Sequence, residues 1–181
     1  YETESGQKAD QFAEEKDFLP YDEYMAFNGI EEEDGSGTDD FVYYEIDEKR
    51  NAAVLTLYSC TYNKQYKDTV RNMFQEVKEK GIKNVAVDLR NNGGGDSRVA
   101  NEFLKYIDVD SYKEWAWDWR LGFFKAAIPQ KEIQNSKYEA LLFQGNLYVL
   151  TSVYTFSSAM NFAEYVKDNS IGTIIGEASG N

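Results

Sequence analysis

Three short stretches hold residue types that can do chemistry. The first is VYTFSSAMNFAEYV, Val153 to Val166, where Ser157 and Ser158 sit between an apolar strand and an apolar helix. A serine at a helix N-terminus can cap it, because its side-chain oxygen satisfies an otherwise unpaired amide. The same placement suits a nucleophile: the helix end stabilises negative charge, and the next amide can join an oxyanion hole. The stretch by itself leaves both readings open.

The second stretch is DLRNNGGG, Asp88 to Gly95. A short apolar run enters three glycines and then a helical pattern. Glycines let a backbone approach a ligand closely and leave amides free to hold a phosphate or a developing oxyanion. No Gly-Lys-Ser/Thr follows, so this is not a phosphate loop, and the dinucleotide pattern GxGxxG is absent. A plain strand-to-helix turn is the competing reading. The third stretch, GTIIGEASGN at Gly172 to Asn181, reads only as strand and turn.

Composition limits what these residues can be part of. The 181 residues suit one domain, and 42% of them are hydrophobic, as in a globular chain. There is no histidine, which removes a histidine-based triad and the commonest metal ligand. Nothing calls for a metal or an organic cofactor. The one cysteine, Cys60, excludes an internal disulfide. Of the net charge of −13, nearly all sits in residues 1–40, where 14 acids face two bases, Lys8 and Lys16. The remaining body is close to neutral and has no basic patch, which argues against a nucleic-acid partner. No apolar run is long enough to span a membrane. The chain starts at Tyr1 without a basic-then-apolar leader, so a signal peptide is either absent or outside this sequence.

The elements that must position the three stretches follow from periodicity. Residues 1–40 read as an acidic arm or linker. Within it, FLPYDEYMAF can form a short helix before the glycine-broken EEEDGSGTDD; as an ordered arm it would pack Phe18, Leu19, Tyr24, Met25 and Phe27 on the body. FVYYEID and AAVLTLYSC, separated by EKRN, predict a hairpin. A helix is expected over 65–80, with Tyr66, Val70, Met73, Phe74 and Val77 on one face and Gly81 ending it. NVAVDL and NLYVLTS read as buried strands. Helices are expected over 97–107, with Val99, Phe103, Leu104 and Ile107 inward, and over 157–168, with Ala159, Phe162, Ala163 and Val166 inward. EWAWDWRLGFF, 114–124, alternates like one strand, with Trp115, Trp117 and Trp119 on one face; residues 128–143 read as loop with a short helix. The alternation predicts an α/β fold: a largely parallel sheet flanked by helices.

The three stretches, in this order and spacing, resemble the tail-specific, or C-terminal processing, serine peptidases. In that family a strand ending in DLR-x-N-x-GG precedes a serine-rich strand-to-helix junction, and a strand ending in Gly-Glu follows it. The resemblance covers roughly 41–181 and implies a crotonase- or ClpP-like core, here incomplete at its C-terminus. It places the nucleophile on Ser157 and the oxyanion-hole amides on Ser158 and Gly94, and matches Asp168 to a supporting aspartate at the end of the nucleophile helix. A helix-end carboxylate is the other reading of Asp168. Met160 stands where the family commonly has glutamate. The family's lysine base, shortly after Gly-Glu, would fall just beyond Asn181. The ending EASGN is also similar to a branch without that lysine, in which a histidine from elsewhere serves. The PDZ domain that often precedes the core has no counterpart in 1–40.

The resemblance therefore implies a serine endopeptidase that acts on protein or peptide substrates, in an extracytoplasmic setting by family habit. Because its general base is missing, this chain alone is expected to have little activity. The alternatives are a non-catalytic peptide-binding module on the same fold, a crotonase-like enzyme acting on acyl thioesters, and a generic α/β scaffold whose serines are caps.

Overall fold

The computed structural model describes residues 41–114, 117–121, 124–128 and 131–179. The arm expected over 1–40 and the side chains of the tryptophan stripe lie outside the described residues.

The chain enters through a hairpin. Strands β1 (Val42–Asp47) and β2 (Ala52–Leu57) pair antiparallel with Asp47 opposite Ala52. Asn51 takes φ 53 in the turn, a conformation asparagine tolerates better than most residues. Helix α1 (Lys64–Lys80) follows. Its cap is Asn63, whose Oδ1 accepts from the Tyr66 amide at 2.9 Å, and Gly81 at φ 65 ends it. Strand β3 (Asn84–Asp88) lies parallel to β2, and helix α2 (Arg98–Leu104) comes next. An excursion carries two small strand pairs. β4 (Ser111–Lys113) pairs with β7 (Glu132–Gln134), and β5 (Trp117–Leu121) with β6 (Phe124–Ile128). The single strand expected over 114–124 is therefore a hairpin. Leu121 opposes Phe124. Between 128 and 143 the described segments are β7 and a 3₁₀ turn at Glu139–Leu141. Strand β8 (Asn146–Thr151), helix α3 (Ser158–Asp168) and strand β9 (Thr173–Gly176) complete the chain.

The main sheet has the order β1-β2-β3-β8-β9, and every pairing except β1 with β2 is parallel. The expected α/β architecture is the observed one. Register brings Leu55, Val87 and Val149 into one row across the three central strands, all fully buried. The inward residues predicted for the three helices pack on this face. Phe74 of α1 stacks on Tyr106 at 4.7 Å and tilts against Phe103 of α2, which in turn meets Phe162 of α3 at 5.3 Å. One aromatic run thus joins the three helices. The opposite sheet face differs from the expectation of strands buried on both sides. Val54, Ala86, Tyr148 and Leu150 are only half-buried there, because none of the described helices packs on that side. Among the described residues, no helix is long and apolar enough to cross a membrane.

One charge sits inside this packing. Glu102 on α2 is 3% exposed and accepts from Lys105 Nζ at 2.8 Å, Tyr138 Oη at 2.9 Å and Tyr62 Oη at 3.4 Å. Burial pushes its carboxyl up, but these donors outweigh burial and hold it below the usual glutamate value.

Two outcomes follow from this packing. Phe74→Ala should cost about 3–5 kcal/mol in urea unfolding, since the ring leaves a cavity among three aromatic neighbours. Glu102, with its folded-state pKa depressed, stabilises the fold above its ordinary value of 4.5 and loses that contribution as the pH falls below it. Glu102→Gln should therefore lower stability at neutral pH and flatten its decline in acid, as read from unfolding curves between about pH 3 and 7.

Candidate active site

The parallel sheet delivers the C-terminal ends of β2, β3, β8 and β9 to one edge, where open α/β sheets place their ligands. Because β3 and β8 are neighbours, DLRNNGGG and the serine junction leave the sheet side by side. Three side chains and the Asn92 backbone carbonyl then fasten the two segments together. Thr155, fully buried, donates from Oγ1 to Leu89 O at 2.8 Å and accepts from Ser152 N at 3.0 Å. Ser152 Oγ donates to Arg90 O. Asn92, also fully buried, donates from Nδ2 to Leu57 O at 2.7 Å, and its carbonyl accepts from Phe156 N at 3.0 Å. Ser158 Oγ donates to Gly95 O at 2.6 Å.

This bond settles what Ser158 does: its hydroxyl pins the glycine turn and caps nothing. Ser157 takes the N-cap position of α3 but makes no side-chain cap bond. Its backbone has φ 52 and ψ −124, a strained setting for a residue with a Cβ. The side chain is exposed, whereas Ser158 is 7% exposed. The Ser158 amide belongs to the first turn of α3, where amides lack helical partners.

Gly94 meets Ser157 directly. A Cβ on Gly94 would lie 2.6 Å from Ser157 Cβ, 2.8 Å from Phe156 O and 3.0 Å from Ser158 N, and Gly94 has φ 101. Two of the three sequence-derived site residues besides Ser157 are thus brought to it. The Gly94 amide, however, already donates to Asn92 Oδ1 at 2.8 Å. Asp168 is not brought to the site. It is exposed at the far end of α3, about 16 Å along the axis from Ser157 at about 1.5 Å per residue.

The surroundings are set by charge as well as shape. Arg90 clasps Asp88 through Nε at 2.9 Å and Nη2 at 2.6 Å. Burial pushes the Asp88 carboxyl up, but the Arg90 guanidinium and amide outweigh it and leave it low. The Gly176–Glu177 turn is seated on β8, with Glu177 N donating to Thr151 O at 3.1 Å and Thr151 Oγ1 to Glu177 O at 2.8 Å. Met160, Glu164 and Lys167 of α3 line a cavity of about 260 Å³ beside this turn. Burial, then Asp168, raises the Glu164 carboxyl against the pull of Lys167. The lysines with displaced pKa values, Lys80, Lys105 and Lys137, are all raised by neighbouring carboxylates.

Asn92 and Thr155 did not emerge from the sequence as site residues. Asn92 lies inside DLRNNGGG, so the motif contained it; Thr155 carried no signal beyond its place before the serine pair.

The model of peptidase family S41 matches residues 51–181. A search of curated proteins finds no match. Solved structures with a similar fold include the photosystem II D1 C-terminal processing protease, at 20% identity and a TM-score of 0.56 over 71% of this chain and 31% of that one. A putative peptidase from Parabacteroides merdae matches at 14% identity and TM-score 0.57 over 77% of this chain and 45% of that one. Mature CPAF matches at 11% identity and TM-score 0.56 over 71% of this chain and 37% of that one. The chain therefore spans less than half the length of these structures.

The close approach of Gly94 gives a stability contrast with its neighbour. Gly94→Ala should cost about 2 kcal/mol or more, from strain at positive φ and collision with Ser157. Gly93, with nothing within 4 Å of a built Cβ, should accept alanine within about 0.5 kcal/mol. Urea unfolding of the two variants tests the pair.

Proposed function

Because the chain belongs to peptidase family S41, a serine protease family, we propose that it carries the core of a C-terminal processing peptidase with Ser157 as nucleophile. The observation that carries this reading is Ser157 itself: exposed, at positive φ, at a helix N-terminus, without a cap bond, and with the Gly94 backbone against it. Ser157 Oγ attacks the carbonyl carbon of a peptide bond and gives up its proton. The carbonyl oxygen takes the negative charge, held by the Ser158 amide and by the Gly94 amide once that leaves Asn92 Oδ1. The C–N bond breaks, the amine departs with a proton, and water hydrolyses the acyl-enzyme. The substrate is a protein or peptide, and an extracytoplasmic setting belongs to the same proposal.

The same proposal puts the proton acceptor outside this chain. The chain contains no histidine. A lysine base needs a depressed pKa, and among the described residues the lysines with displaced values are displaced upward. We therefore expect the 181-residue chain to turn over little. The same observations favour a second reading, a peptide-binding module that keeps the groove and not the chemistry.

Intact-mass labelling with a fluorophosphonate probe separates the two. It is run on the 181-residue chain and on the protein expressed from its entire gene, each with a Ser157→Ala control. Labelling of the second form alone, lost in the variant, is the expected result. Labelling of neither form would sink the nucleophile and leave the binding reading. Robust labelling of the 181-residue chain would overturn the expectation that its base lies elsewhere.

A further inference from the structure

The Gly94 amide is not free in this structure, and what holds it is one buried side chain. Asn92 bonds to the segments that leave β2 and β8 as well as to its own glycine turn. Its Nδ2 donates to Leu57 O at the end of β2, and its backbone carbonyl accepts from Phe156, the residue before Ser157. Its Oδ1 accepts from Gly94 N at 2.8 Å and from Cys60 Sγ at 3.6 Å. Both donors converge on one oxygen, and the Cys60 amide in turn donates to Gly94 O at 2.9 Å. Gly94 is thus gripped from both sides of its peptide, at a distance from Ser157 that leaves no room for a methyl group.

We propose that Asn92 is a positioning residue of the Ser157 site, whose Oδ1 holds the Gly94 amide in place as a stand-in acceptor until an acyl oxygen replaces it. The inference rests on the Ser157 nucleophile reading for its catalytic meaning, but its geometry does not. A carboxamide fits the task because it donates and accepts at once. Nδ2 anchors the group to β2, so Oδ1 is presented at a fixed point. When the Gly94 amide swings to an oxyanion, Oδ1 keeps the Cys60 thiol as donor and is not left unpaired in a buried place. The swap exchanges one acceptor for another and makes or breaks no covalent bond. A neutral acceptor also adds no charge that would oppose the developing oxyanion.

The test follows the Gly94 amide by nitrogen-15 NMR in the 181-residue chain and in three variants: Asn92→Ala, Asn92→Asp and Thr155→Val. Thr155→Val removes an equally buried clamp of the same junction that does not touch Gly94. In the free protein the Gly94 amide should exchange slowly in wild type, Thr155→Val and Asn92→Asp, which keeps the acceptor oxygen, and quickly in Asn92→Ala. In whichever form labels with fluorophosphonate, the Gly94 resonance should move on labelling, and Asn92→Ala should label about 10²-fold more slowly than Thr155→Val at equal folded fraction. An unprotected Gly94 amide in wild type would overturn the proposal. So would labelling that falls only in step with stability in both variants. If Asn92→Ala does not fold, the wild-type exchange rate and Asn92→Asp decide it. Slow Gly94 exchange that depends on Asn92, with no labelling of any form, would keep the positioning role and remove the nucleophile reading.

Discussion

Gly94 and Ser157 occupy adjoining space that admits no side chain on the glycine, and much of the fold can be understood as bringing these two backbones together. They lie far apart in the chain. Only the parallel pairing of β3 with β8, in the register that sets Val87 beside Val149, lets both segments leave the sheet at neighbouring points. A slip of one residue would turn every buried side chain of a strand outward, so the hydrophobic row across the sheet also sets the position of the site. Beyond the strand ends, regular pairing stops and side chains take over. Thr155, Ser152 and Ser158 each bond to backbone of the opposing segment, and Asn92 ties the glycine turn to Leu57 of β2, where an unpaired buried group would be costly.

The packing behind the site explains how a strained serine is kept. φ 52 at a residue with a Cβ costs on the order of 1–3 kcal/mol, and such a conformation persists only when its surroundings over-determine it. Here α3 is anchored immediately behind Ser157 by Ser158, Ala159, Phe162 and Val166, all buried. Phe162 continues the aromatic run through Phe103 to Phe74, so the helix carrying the serine is fixed to the two others on that face. The exposed part of the site is small and its support is the core itself. An exposed polar group can thus be held with the precision of a buried one.

The parts legible in the sequence were those where local pattern and tertiary packing agree. The α1 stripe from Tyr66 to Val77, the Gly81 stop and the β1–β2 hairpin are written in spacing and turn residues. The largely parallel α/β sheet followed from the alternation of elements, but the order of its strands did not. The 114–124 run misled because alternation fits one long strand or two short ones equally. The half-buried second sheet face was not legible, because Ala86, Tyr148 and Leu150 sit in runs whose composition suits burial on both sides. Asn92 and Thr155 escaped for another reason. Their partners are Leu57 and Leu89, tens of residues away, and no local pattern records a bond across that distance. The serine pair was readable as a candidate site, but the division of labour between its hydroxyls, one bonded inward and the other making no cap bond, was not. Which hydroxyl bonds inward depends on the backbone turn at Ser157.

That division of labour bears on the choice between catalysis and simple binding. A cap serine lowers the energy of its helix; Ser157 makes no cap bond and adopts a costly backbone angle. A module that only gripped peptides would gain nothing from this strain, whereas a nucleophile needs its oxygen clear of the helix amides and beside a donor that can receive negative charge. On the proposed reading, the electrostatic half of the chemistry is built from this chain's own backbone at Gly94 and Ser158. The proton-transfer half is separable from it, because a base acts on Oγ from the open side and need not belong to the same packed unit. Such a separation explains how a histidine-free chain can hold a prepared serine. The glycine turn is shaped by hydrogen bonds to Asn92, Cys60 and Ser158, so on that reading its place beside Ser157 does not depend on the base.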